Sequence, residues 1–196
     1  MLKEYKRIML LDTSSSYLFI NFIEDGKVVY QVLSEGKNNH SDNLLKDIEE
    51  GLKKLNLKVG DFDCFVCGVG PGMYTGLRVS MTVAKTFAWT LKKDLYVLSS
   101  IDLLFSDYIG TNKQCAIMLK AKKDYSYTKI VDFSKDYKVL RKEEFLSNEE
   151  FLKLSSNYQI LTNDDIKINA LKIEDFMLTK VENIHALEPN YLRSDI

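Results

Sequence analysis

The sequence predicts an α/β protein, and three observations carry that prediction. Residues 8–33 read as an antiparallel meander, residues 62–91 as a strand, a glycine-rich turn and a helix, and further strand-like runs follow a break near 107–114. The 196 residues suffice for one generous domain or two small lobes, and a hydrophobic content of 45% fills a sizeable core. Charge is balanced, 27 basic against 28 acidic side chains, so no net field draws nucleic acid or an anionic membrane to the surface. Any RNA would be gripped mainly by another subunit.

Ile8–Leu11 is an apolar run ending at Asp12, and Thr13, Ser14, Ser15 and Ser16 make a hydroxyl-rich turn after it. Tyr17–Glu24 and Val28–Leu33 resume the strand pattern across an Asp25-Gly26 turn, a start unlike that of a plain Rossmann fold. Ser41 is placed to cap the next helix, in which Leu44, Leu45, Ile48, Leu52 and Leu55 share one face. Gly51 lies at the edge of that face, where it either lets another helix come close or is merely tolerated at a cost of roughly 1 kcal/mol. Phe62–Val69 is a second buried strand that runs through Gly68-Val-Gly-Pro-Gly-Met-Tyr-Thr-Gly into a helix starting near Thr75 or Gly76. Leu95–Leu98 is a further strand, and Ser99 or Ser100 caps a short helix through Phe105. Beyond the break, Cys115–Leu119, Tyr125–Phe133 and Tyr137–Leu140 read as strands. Ser147 with Glu150 fits the capping box of a helix through Leu154, and Tyr158–Leu161 is a last strand. Residues 163–184 carry no clear pattern.

Cys64, Cys67 and Cys115 are odd in number. The CxxC spacing of the first two falls in a strand, whose side chains alternate faces, and no second ligand pair accompanies it. They read as reduced, buried small hydrophobes. No stretch approaches the roughly 20 apolar residues of a membrane helix, and the start lacks a signal-peptide layout, so the expected location is the cytoplasm.

Two pieces have chemical potential. Asp12 with Thr13 and Ser14, at the end of a buried strand, has the makings of a phosphate or metal-water site; alternatively these side chains bond their own backbone in the turn. The stretch Gly70-Pro71-Gly72-Met73-Tyr74-Thr75-Gly76-Leu77-Arg78 lets backbone come close to a ligand or another chain and leads to a helix start with free N–H groups. It is neither a P-loop nor a GxGxxG turn. In the helix it opens, Leu77, Met81, Ala84, Ala88 and Leu91 form one stripe and Val79, Val83 and Phe87 widen it to roughly 200°, about twice what one core requires. The surplus faces either a neighbouring helix of the same chain or a partner. His40 and His185 sit in no metal-binding pattern, no Ser occupies a GxSxG elbow, and Glu143, Glu144, Glu149 and Glu150 read as solvated helix faces. No catalytic set and no metal site is expected.

The strand ending in Asp12-Thr13-Ser14, the helix after His40, the stretch Gly70–Arg78 with Ala84-Lys85 behind it, and the closing Leu187-Glu188-Pro189-Asn190-Tyr191-Leu192-Arg193 together resemble the TsaB (YeaZ) family. That family usually shows GPGSFTGLR at the glycine-rich stretch, so Met73 and Tyr74 are mild departures. The resemblance implies an actin-like ATPase (ASKHA, ribonuclease H-like) α/β fold with two lobes, here 1–105 with the dimerisation helices and a reduced 106–196. It also implies a non-catalytic subunit that partners a TsaD-type threonylcarbamoyltransferase and a TsaE-type ATPase in making N6-threonylcarbamoyladenosine at A37 of ANN-reading tRNAs. ATP or ADP and metal then belong to the TsaD partner or the shared interface, tRNA is met only through the complex, and the isolated chain pairs with itself.

The family's dimer surface uses the two helices of the first lobe, which places Leu44, Leu45, Ile48, Gly51, Leu52, Leu77, Met81, Ala84, Lys85 and Ala88 at the interface. Asp12, Thr13, Ser14, Gly70, Pro71, Gly72, Tyr74, Thr75, Gly76 and Arg78 become a vestigial nucleotide-facing loop. Where relatives carry Asp-Ala-Arg this chain has Lys120-Ala121-Lys122, which removes an acid and favours a scaffold over an enzyme. The rival expectation is an actin-like ATPase or phosphotransferase acting through Asp12, Thr13 and the Gly70–Gly76 loop. A peptidase lacks a nucleophile–base pair.

Overall fold

The computed structural model describes residues 4–35 and 40–192, with backbone alone at 40 and 41. The expected Ser41 cap and Arg193 of the closing motif lie outside the described residues. The chain divides into two compact units, Met1–Ser100 with Ile173–Pro189, and Ile101–Lys172 with Asn190–Ile196. The single boundary expected after 105 is thus corrected: residues 173–189 belong to the first unit, because their apolar side chains have their core there.

The first unit is built on β1 (Arg7–Asp12), β2 (Tyr17–Glu24), β3 (Lys27–Glu35), β4 (Cys64–Gly68) and β5 (Asp94–Leu98), with α1 (His40–Leu55) and α2 (Tyr74–Leu91) between them. β1, β2 and β3 are antiparallel, as alternation and the Asp-Gly turn require; Asp25 and Gly26 take φ of 48° and 72°, the left-handed pair of a tight hairpin. β4 and β5 join parallel to β1 through α1 and α2. Met9 pairs with Phe22 and Phe65, and Leu11 with Ile20 and Cys67, so one sheet face presents a continuous apolar layer. Leu44 and Ile48 of α1 and Met81, Ala84 and Ala88 of α2 close over that layer. The reason for a glycine at 51 is steric, since a Cβ there would lie 2.6 Å from the Tyr30 ring and 2.8 Å from Phe22. What approaches Gly51 is an aromatic pair on the sheet, and Tyr30 fixes the contact by donating its hydroxyl to the Asp47 carbonyl at 2.9 Å.

From 173 onward the chain crosses back to this unit. β10 (Thr179–Lys180) pairs antiparallel with β5, the Val181 N–H bonds the Leu95 carbonyl, and Val181, Ile184 and Leu187 pack on the core. A two-residue strand leaves no periodic signal in a sequence, which is why residues 163–184 carry no pattern.

The second unit begins within α3 (Ser100–Leu104). Its sheet has the order β8-β7-β6-β9, with β6 (Gln114–Lys122), β7 (Tyr125–Asp132) and β8 (Lys138–Ser147) antiparallel and β9 (Gln159–Leu161) parallel to β6. α4 (Asn148–Leu154) is capped by Ser147, whose hydroxyl accepts the Glu150 N–H, and it lays Phe151 on Ala116 and Ile130. β8 runs seven residues past the expected Leu140, so Glu143 and Glu144 lie on a strand and not on a solvated helix. The reason is an ionic cluster on the face away from α4. Lys129, 4% exposed, pairs with Asp102 and with Glu143, and Tyr137 also donates to Asp102. Burial, with the Asp102 charge beside it, pushes the Tyr137 phenol far above its usual range.

Candidate functional site

The ends of β1 and β4 and the start of α2 meet in one polar knot. The Asp12 carboxylate is 1% exposed. One oxygen accepts from the Ser14 N–H at 2.8 Å and the Ser14 hydroxyl at 2.6 Å, and the other from the Ser100 hydroxyl at 2.7 Å. The Thr13 hydroxyl donates to the Gly76 carbonyl at 2.6 Å and accepts from the Ser80 N–H at 3.1 Å. The Ser14 carbonyl accepts from the Met73 N–H at 2.7 Å. Of the two arrangements the sequence allows for this turn, these bonds are those of side chains engaged within the chain.

The glycines make the knot sterically possible. A Cβ on Gly68 would stand 1.7 Å from the Asp12 carboxylate, one on Gly72 2.3 Å from the Ser14 carbonyl, and one on Gly76 1.9 Å from the Thr13 carbonyl. The close approach the glycine-rich stretch predicts is therefore made to the chain's own β1 turn. Ser100, which from sequence is only a cap, completes the site: it also accepts from the Gly70 N–H at 2.9 Å and donates its own N–H to the Gly70 carbonyl. Its position at the end of a strand two places from β1 is the only signal that could have found it. Pro71 is buried in the turn, whereas Tyr74, Thr75 and Arg78 reach the surface, with the Arg78 guanidinium 4.2 Å above the Tyr74 ring. Beside the knot, burial and the Asp12 charge push the Cys67 thiol up, so it is an inert hydrophobe.

The assigned interface residues separate into two groups. Leu77, Met81, Ala84 and Ala88 of α2, and Leu44, Ile48 and Gly51 of α1, are buried inside one copy and are not available to a partner. This corrects their assignment: the main α2 stripe covers the chain's own sheet. Leu45 is 54% exposed, whereas Leu52 is half-buried against the core. Lys85 holds the closing segment, donating to the Leu187 carbonyl at 2.8 Å and the His185 carbonyl at 3.3 Å. Val79 and Val83 of α2, half-buried at the edge of the core, line with Tyr74, Thr75, Arg78 and Thr82 a shallow hollow of about 380 Å³. Near the helix end Trp89, 59% exposed, stands edge-on to His185 at 5.2 Å. Among the described residues no cluster of three or more metal-ligating side chains occurs, and no helix is long and apolar enough to cross a membrane.

A family model described as TsaD, tRNA N6-adenosine threonylcarbamoyltransferase, matches residues 32–187. The tRNA threonylcarbamoyladenosine biosynthesis protein TsaB of Bacillus subtilis (strain 168) is 23% identical over 214 residues, spanning 95% of this chain and 93% of its own. The protein of the same description from Buchnera aphidicola subsp. Baizongia pistaciae is 27% identical over 58% of this chain and 51% of its own. Among solved structures, a protein with similarity to peptidase YeaZ from Pseudomonas aeruginosa superposes with a TM-score of 0.77 at 17% identity, over 96% of this chain and all of that one. YeaZ from Pseudomonas aeruginosa gives a TM-score of 0.66 at 19% identity, over 72% of this chain and 68% of that one.

Proposed function

The chain belongs to the TsaD family, tRNA N6-adenosine threonylcarbamoyltransferase, and from that premise we propose that it acts as a TsaB-type subunit without catalysis of its own. It has the actin-like α/β fold of that family. Its role on this reading is to bind and order a TsaD-type subunit during synthesis of N6-threonylcarbamoyladenosine in tRNA.

The observation that carries the proposal is the closed knot at Asp12. An actin-like ATPase acting through Asp12 would need that carboxylate to face a hydrated metal and phosphates. Asp12 instead accepts three hydrogen bonds from Ser14 and Ser100 and lies beneath the glycine-rich turn. ATP or ADP and metal are accordingly assigned to the TsaD-type partner or to the surface shared with it. The surface offered to that partner is the margin of α2 at Val79 and Val83, with Leu45 and Leu52 of α1. The same surface supports self-pairing of the isolated chain, and a TsaE-type ATPase joins through the assembled pair.

The test is a reconstituted modification reaction with and without this chain. Omission is expected to abolish threonylcarbamoylation, while Asp12→Asn and the isolated wild-type chain show no difference in magnesium-dependent ATP turnover. Full modification without the chain, or turnover by the chain that Asp12→Asn removes, overturns the reading in favour of an actin-like ATPase or phosphotransferase.

A further inference from the structure

The tip of the β6–β7 hairpin, in the second unit, has features that neither its core nor the knot at Asp12 uses. Three aromatic rings lie on the sheet face away from α4. Tyr125 and Phe145 are stacked with centroids 5.2 Å apart and planes within 7°. Tyr127 meets Phe145 edge-on at 5.7 Å. All three are half-buried, and the core formed by Ala116, Ile130 and Phe151 lies on the opposite face of the sheet.

One cation stands over these rings, and a second lies in the adjoining turn. The Lys122 ammonium is 4.8 Å from the Tyr125 centroid and 5.3 Å from that of Phe145, and Lys123 is exposed in the turn. Neither lysine has a carboxylate partner among the described residues. The acids of α4 are on the other face, and Glu149 there is bound to Lys153. The turn itself is held: Asp124 takes φ of 63°, and its carbonyl accepts the Asn148 N–H at 2.9 Å. A fixed ring pair with one ammonium over it and another exposed in the adjoining turn is the chemistry that receives an unpaired base and its phosphate. Two lysines on a chain of net charge −1 make a local contact and not a general affinity for polyanions.

We propose that this hairpin tip contacts RNA directly, stacking an unpaired base of the tRNA on the Tyr125–Phe145 pair and taking a neighbouring phosphate on Lys122 and Lys123. The proposal rests on the function given above and adds a contact that the chain itself makes with tRNA inside the complex.

The experiment uses the complete reconstituted complex. The double variant Lys122→Glu/Lys123→Glu changes only exposed residues, the last of β6 and the first of the turn, and it is expected to raise the KM for tRNA about tenfold with kcat unaltered. The slope of log affinity against log salt should fall by about 0.7, the value for one phosphate contact with single-stranded RNA. Tyr125→Leu should raise KM by a similar factor through the lost base stack, without changing the salt slope. Unchanged KM and salt slope in the double variant, with its melting temperature and partner affinity intact, overturn the proposal. So does a double variant that loses the TsaD-type subunit, because the tip would then be a protein contact. A complex that modifies tRNA fully without this chain instead overturns the function on which the proposal rests.

Discussion

Asp12 shows how a residue that looks like a ligand becomes a fastener. Its carboxylate ties β1 to Ser14 within the turn and to Ser100, 88 positions away in the chain. Ser100→Ala leaves one buried oxygen without that donor, at a cost of about 1–3 kcal/mol, which a denaturant titration reads directly as a lowered midpoint with unchanged slope. The self-bonding of the turn was one of two arrangements legible in Asp12-Thr13-Ser14. The Ser100 contact was not, because nothing local marks a hydroxyl that arrives from the end of β5. A second tie lies at the sheet edge, where Asp94 accepts from Tyr5 and pairs with Lys180 of β10 at 2.9 Å. The Tyr5 hydroxyl and then the Lys180 ammonium hold the Asp94 carboxyl below its ordinary range. A carboxyl depressed by folding stabilises fully above its unfolded value, near pH 4, and loses that effect as pH falls through its folded value. Asp94→Asn should therefore lower the melting temperature at pH 7, and the gap to the wild type should close as pH is taken below 4.

At the scale of elements, α2 turns most of one apolar arc inward and leaves Val79 and Val83 half-buried at the edge of the same core. Periodicity correctly gives its width but does not say which part meets the chain's own sheet. The register of Met9, Leu11, Phe65 and Cys67 decides that, placing Leu77, Met81, Ala84 and Ala88 inward and leaving Val79 and Val83 half-buried at the margin. Met81→Glu then buries a carboxylate with no partner and should unfold the first unit, seen as loss of a cooperative thermal transition. Val83→Glu should keep the melting temperature within a few degrees and weaken binding of the TsaD-type subunit at least tenfold in a titration. Equal loss of fold in both variants would show that the margin, too, serves only the core. β8 was half legible for a related reason. Its charged residues look like helix surface until Glu143 is seen to answer Lys129 across the strands, and a buried ion pair has no periodic signature.

Over the whole molecule, the order of strands and helices was legible nearly throughout, because each repeats a period of 2 or 3.6. The return of residues 173–189 was not, since short turns and a two-residue strand repeat nothing. A fragment of residues 1–105 would leave β5 without its β10 neighbour and would expose the surface that Val181, Ile184 and Leu187 cover. It should melt well below the full chain and aggregate on heating, measured by circular dichroism with light scattering; a fragment as stable as the whole would disprove the dependence. Lys85 makes the same dependence visible in one side chain, because the carbonyls it grips belong to His185 and Leu187, 100 and 102 positions downstream. During synthesis the earlier unit must wait, its last clasp unformed, until residue 187 has left the ribosome. The nascent chain thus spends most of its translation time incomplete, and a chaperone has that interval in which to hold it.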